Sequence, residues 1–300
     1  MARKSTAIRR VALAWAFLAF LAAIVAAVMI AIAGPLYRHE TLTLSGAFDL
    51  LGKGFWVGVG AAAAGLVGIG IGLFARRAVA VVLALIALIG GGAASGWLYS
   101  IYLGAQAAPP IHDVATDPLA PPQFIALAAQ RLNHKETPNG LEYGGGDTQI
   151  AQAEVQALAH FFDSPIGHAS SGREAAIAAC TQWDPSCLAA VQRAYYPDIR
   201  PLSAPGVSAE RAFTAALATA RDMGWKIVAA DPATGHVEAT ATTAWFGFKD
   251  DVAVDVTASP DGSTVNVRSE SRMGLSDLGM NAKRVRAYLD RLKSHLQSAA

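Results

Sequence analysis

Charge is what this sequence is short of: Asp, Glu, Lys and Arg make up 16% of its 300 residues, against 53% hydrophobic ones, a balance too apolar for an average soluble chain. The shortage is local. No charged residue lies in 11–37, 54–75 or 78–111, and each run can supply the roughly 20 apolar residues that cross a bilayer as a helix. Three transmembrane helices are therefore predicted near 11–33, 55–75 and 78–103, with the lipid bilayer as their partner. No Asp, Glu, Lys, Arg or His interrupts those spans. Charges inside a membrane mark proton and ion paths, so their absence argues against a pump or transporter.

The basic start and Ala31-Ile-Ala33 together resemble a signal peptide and its cleavage site. Against that, the first apolar run is longer than the roughly 7–15 residues of a signal core, and two more spans follow, which favours an anchor. Arg3, Lys4, Arg9 and Arg10 precede the first span and Arg76-Arg77 join the second to the third. Short basic segments stay cytoplasmic, so the N-terminus and the Arg-Arg turn are placed there. Three spans then carry everything after Leu103 across, which in a bacterium means an inner-membrane protein with its C-terminal part in the periplasm. Trp97, Tyr99 and Tyr102 suit the outer interface. Residues 1–103 carry a balance of +6 and residues 104–300 one of −5. An acidic exported part disfavours nucleic acid, whose binding rests on neutralised phosphates.

Cysteine is also scarce. Only Cys180 and Cys187 occur, in CTQWDPSC, which excludes a disulfide-dense scaffold. Six intervening residues without nearby ligand histidines suit zinc poorly. A local disulfide is the candidate in an oxidising compartment, with free thiols as the alternative, because sequence does not show whether the Cα atoms come within bonding range. The seven histidines are scattered, and neither H-E-x-x-H nor G-x-S-x-G occurs, so no metal and no cofactor is expected. Gly144-Gly-Gly-Asp147 lacks the lysine of a phosphate loop and reads as a hinge. His112 and Asp113 read as a solvated turn.

What is present organises the rest. The second and third spans carry Gly68-x-x-x-Gly72 and Gly92-x-x-x-Gly96, a spacing that lets membrane helices approach closely. Residues 104–125 hold five prolines and read as a stiff linker. In 126–300, the stretch 147–195 is helical by pattern, with Ala151, Val155, Leu158 and Phe162 on one face. Over 208–298 the order is helix, four strands (225–230, 236–245, 248–257, 264–272), helix. This predicts an α+β domain, a four-stranded antiparallel sheet flanked by helices, and by analogy of element order a helix-grip-like arrangement, as in some envelope assembly lipoproteins.

The stretches PPIHDVATDPLAPPQF (109–124), YPDIRPL (196–202), MGWKIVAADPATGHVEATATTAWFGFKDDV (223–252) and SRMGLSDLGMNAKRVRAYLDRL (271–292) resemble the family called domain of unknown function 1499. The resemblance covers most of 109–292. It implies a defined module and brings no established activity. The segment from Tyr143 to about Gln192 is longer than the family's usual spacing, so the cysteine pair is peculiar to this chain or its close relatives.

Within the strands, the core-facing valines set the register. Placing Val254 opposite Val267 and Val256 opposite Val265 sets Asp251 opposite Glu270 and Asp250 opposite Ser271. Asp251, Glu270, Arg268, Arg272 and Lys249 then form an exposed charge ladder. Asp250 falls on the core side beside Phe248, tied to Ser271 or to loop amides after Gly247. The leading expectation is an envelope module without enzymatic activity that binds a partner protein or lipid-like ligand between sheet and helix, near Trp245, Phe246 and Phe248. The alternative is a periplasmic hydrolase or transferase using Asp250 as acid or base, with Arg200, Asp198 and Asp277 brought to it from the other motif loops.

Overall fold

The computed structural model describes residues 2–131, 139–145 and 148–298; Gly146 and Asp147 of the expected hinge lie outside them. The chain divides into two units, Met1–Leu103 with Ala244–Gly247, and Gly104–Thr243 with Phe248–Ala300.

The first unit is three long apolar helices: α1 (Ala2–Arg38), α2 (Leu44–Phe74) and α3 (Ala78–Gln106). By length and composition each is able to cross a membrane. The second starts earlier than its apolar run, because Asp49 and Lys53 pair across one turn at 2.6 Å and leave the helix intact. Buried positions on α2 are Ala47, Leu51, Gly54, Gly58, Ala61, Gly65, Gly68 and Gly72, alternating in steps of four and three. That is a heptad seam of small residues, and it lets backbones approach closely. A Cβ on Gly65 would sit 2.6 Å from the Ala84 carbonyl oxygen. Gly68 and Gly72 face Ala84 and Val81, whereas a Cβ on Gly92 or Gly96 would meet nothing within 4 Å. The third helix instead packs through Ala80, Ala84, Ala87, Gly91 and Ser95, so the expected Gly92–Gly96 contact is not made inside this unit.

The second unit is built on a six-stranded antiparallel sheet, not a four-stranded one. Its strands are β1 (Asp113–Ala115), β2 (Leu202–Pro205), β3 (Lys226–Asp231), β4 (His236–Thr242), β5 (Lys249–Ser259) and β6 (Gly262–Ser271). The order is β1-β6-β5-β4-β3, and β2 also pairs with β6. The four predicted strands are present, with Val254 opposite Val267, Val256 opposite Val265, Asp251 opposite Glu270 and Asp250 opposite Ser271. The two added strands are three and four residues long and lie in proline-flanked segments, too short to show an alternation. The first lies inside the expected linker. Ile111, Val114, Ala115 and Phe124 are buried, so that part of 104–125 belongs to the core and sheet.

Two helices cover one face, α9 (Ala209–Asp222) and α10 (Met280–Ser298). Ser208 caps α9 by accepting from the Arg211 amide, and Ala212, Phe213, Ala216 and Ala220 form its buried stripe. Val285, Tyr288 and Leu292 of α10 are fully buried, and Tyr288 stacks on Trp225 at 5.2 Å. Burying such side chains contributes roughly 1.5–3 kcal/mol each. The opposite face lies under residues 116–131 and 139–145, which include α4 (Ala126–Arg131) and set Phe124, Leu127 and Leu141 against Ala253 and Val228. Three helices add to the same core, α5 (Thr148–Phe162), α7 (Arg173–Ala179) and α8 (Pro185–Tyr195), with the single turn α6 (Pro165–His168) between the first two. Cys180 at the end of α7 is disulfide-bonded to Cys187 in the first turn of α8, with Cα atoms 4.5 Å apart.

Candidate functional site

Three polar sites lie in the α+β unit, and the strands decide two of them. On the face under 116–131 and 139–145, the expected exposed charge ladder is buried except at Lys249: Asp251, Arg268 and Glu270 are at 0% exposure and Asp113 at 1%. Alternation separates two faces of a sheet but does not say which one is wet. Arg268 donates to both oxygens of Asp113 at 2.8–3.1 Å and to the Leu141 carbonyl at 2.9 Å, with its guanidinium between the rings of Phe124 and Tyr143. Arg131 donates to Glu270 at 2.9 Å and to the Asn139 carbonyl, and Arg272 binds both oxygens of Asp251. Glu238 accepts three amides, Ile125, Ala126 and Leu127, at the start of α4. His236 bridges Glu238 and Asp255.

These groups are committed to one another, as buried charges must be. Burial and then the nearby Asp113 push Glu270 up to about 7. The Asp255 and Glu238 hydrogen bonds raise His236 to about 9. His112 and Asp113 are buried, not a solvated turn. His112 lies 2.7 Å from Glu154 of α5, outside hydrogen-bond alignment, and stacks on Trp183. Burial opposes His112 protonation, but the carboxylates of Glu154, Glu270 and Asp113 together outweigh it and raise the pKa.

On the face under the helices, Asp250 is buried as expected, but its partner is Arg284 of α10. Ser269, Ser271 and the His112 carbonyl are joined around it by Asn281. Asp277 accepts the Gly279 and Asn281 amides at 2.7 and 2.6 Å, which caps α10. Burial raises Asp277 to about 6. The fold thus brings Asp250, Ser271 and Asp277 together. Asp198 instead pairs with Arg286, and Arg200 donates its Nε to the Pro197 carbonyl.

Trp245 and Phe246 fall in the helical unit. Trp245 donates to the Ala31 carbonyl and lies beside Trp97, and Phe246 packs near Tyr37 and Phe48. Gly247 supplies the corner, with φ +73°. Phe248 stays with the α+β unit, its amide on the Thr243 hydroxyl. Of the aromatics, Phe248 thus shares a unit with Asp250, and Trp245 and Phe246 belong to the other.

The third site is an open cleft of about 320 Å³ lined by Thr116, Asp117 and Pro118 on one side and by Gln192, Arg193, Tyr196, Pro197, Ile199, Arg200 and Pro201 on the other. Its origin is topological. Strands β1 and β2 share one edge of β6, pairing at Arg268–Glu270 and at Gly262–Val265, and the chain leaves between them after Thr116, whose amide still reaches the Val267 carbonyl. Gln192 closes the outer edge of β1 by hydrogen-bonding the Ala115 amide and carbonyl. Of the cleft residues only Arg200 is a sequence candidate. The missed signal is Arg193, one helical turn ahead of YPDIRPL.

The model of the family described as "Protein of unknown function (DUF1499)" matches residues 113–292. The chain belongs to this family. The DUF1499 match begins at Asp113, the first residue of β1, and ends at Leu292 inside α10, so it takes in the whole sheet and all three polar sites. No curated protein and no solved structure matches. Among the described residues no group of three or more His, Cys, Asp or Glu is placed to hold a metal ion.

Proposed function

We propose that the chain is a membrane-anchored binding module of the bacterial envelope without enzymatic activity. Its three helices hold it in the inner membrane with the N-terminus cytoplasmic, and its DUF1499 unit in the periplasm offers the cleft of 116–118 and 192–201 to a partner protein or lipid-like ligand. The observation that carries this reading is how the carboxylates are used. Asp250, the acid/base candidate, is held by Arg284 under α10. Asp251, Glu270 and Asp113 are each held by an arginine beneath 116–131 and 139–145. A general acid or base must reach a substrate proton, and these groups are occupied and covered. The cleft is instead open, and it is walled by two of the stretches that carry the family resemblance. The helix-grip comparison is part of the same proposal, supported by α10 packing on β6 and β1.

Native mass spectrometry of the detergent-extracted full chain tests the reading. A retained ligand or partner is expected on the unaltered chain and on D250N, and its loss is expected on P118W, which fills the cleft. Retention unaffected by P118W would sink the proposal. The membrane orientation has its own check, a periplasm-only reporter fused after Ala300, which is expected to be active.

A further inference from the structure

We infer that the cleft recognises a phosphate group through Arg193 and Arg200, which rests on the binding-module reading and names the ligand chemistry. Most arginines near the polar sites are neutralised: Arg131, Arg268, Arg272, Arg284 and Arg286 each pair with a carboxylate. Among the described residues, Arg193 and Arg200 pair with none, and Arg200 spends only its Nε, on the Pro197 carbonyl at 2.9 Å. Arg221 and Arg291 also lack a carboxylate partner there but do not line this cleft. What distinguishes Arg193 and Arg200 is that they converge on one concavity.

The remaining walls sharpen the chemistry. Pro118, Pro197, Ile199, Pro201 and the Tyr196 ring are largely apolar, and charge interactions strengthen as water is excluded. Asp117, the one acid in the lining, already accepts the Leu119 amide at 3.0 Å. Gln192 is consumed by β1 and Tyr143. Two guanidinium groups therefore face the ligand against one carboxylate, a net positive lining. A carboxylate brings one negative charge, while a phosphate monoester brings about −1.5 to −2 and three acceptor oxygens, the better match to two planar donor forks. The phosphate could belong to a lipid headgroup or to a soluble ester, and the experiment separates them.

The full chain in neutral detergent is titrated calorimetrically with inorganic phosphate and, separately, with dihexanoyl phosphatidic acid, a lipid phosphate monoester. At least one probe is expected to bind saturably and more weakly as salt is raised. R193Q/R200Q is expected to lose affinity by about tenfold or more, with R193K/R200K keeping part of it. Binding of phosphate itself points to a soluble ester, and binding of phosphatidic acid alone points to a headgroup. Failure of both probes, or equal affinity for R193Q/R200Q with its fold verified by circular dichroism, overturns the inference. If P118W releases the retained ligand and R193Q/R200Q does not, the phosphate assignment falls and the cleft reading stands. If neither variant releases it, both fall.

Discussion

Replacing Arg268 by Met is the sharpest test of the buried charged face. The side chain is fully buried, gives three hydrogen bonds to Asp113, and sits 4.5 Å from the Phe124 ring centroid and 5.6 Å from that of Tyr143. Methionine keeps much of the length and removes the charge. Asp113 and Glu270 then remain buried with one cation fewer, and the Leu141 carbonyl loses its donor. Breaking a buried pair from one side costs about 3–5 kcal/mol. For a unit of this size each kcal/mol lowers the melting temperature by about 2–4 °C, so a drop of about 6–20 °C is expected in thermal unfolding of the full chain in neutral detergent. Adding D113N removes the stranded charge and is expected to recover at least half of the loss, because the two positions share one interaction. A cost for R268M below about 1 kcal/mol would mean that this face is solvated, as the strand pattern alone reads, and would refute the account.

Other consequences follow from the same geometry. The folded pKa of His236, about 9, lies above its unfolded value, so its contribution is fully present below about pH 6.5 and is lost as pH rises through about 9; an unchanged stability profile in H236Q would contradict this. The Cys180–Cys187 bond closes a short loop, seven positions apart. Its removal in C180S/C187S is expected to cost about 2–3 kcal/mol in denaturant unfolding, and no loss would show that the unfolded chain is not constrained by it. In the helical unit, G65L drives a side chain into the Ala84 backbone and G92L meets open space. Heating in detergent should therefore unfold G65L earlier and leave G92L near the parent, and equal behaviour would refute the packing described.

Periodicity was enough to pair β5 with β6 residue for residue, because the valines at 252–256 and 265–267 admit one register with the core on one side. The same reasoning put Asp250 inward. It did not find Arg284, because a partner 34 positions away depends on how α10 crosses the sheet. Strands β1 and β2 were invisible for a different reason: at three and four residues they carry no alternation, and proline beside them reads as linker. The charged face was misjudged because a polar stripe resembles a wet one. Its neutrality was legible, since each charge has an opposite neighbour on the ladder, but its cover comes from a segment that reads as linker, through Phe124, Leu127 and Leu141. Arg193 stood in plain view and had no meaning until Thr116–Pro118 was placed opposite it.

The pairing of β1 with β6 constrains the order in which the unit is made. Asp113 and Arg268 are 155 positions apart, so contacts of long sequence separation dominate this edge and slow the closing of the sheet. Neither the first strand nor the acid it carries has its partner until nearly the whole chain has been synthesised. A stop before Gly262 would remove the strand to which β1, β2 and β5 all pair, leaving three unsatisfied edges in place of a smaller domain. If the unit crosses a bilayer before folding, as proposed, the last strand to arrive is the one that commits the structure.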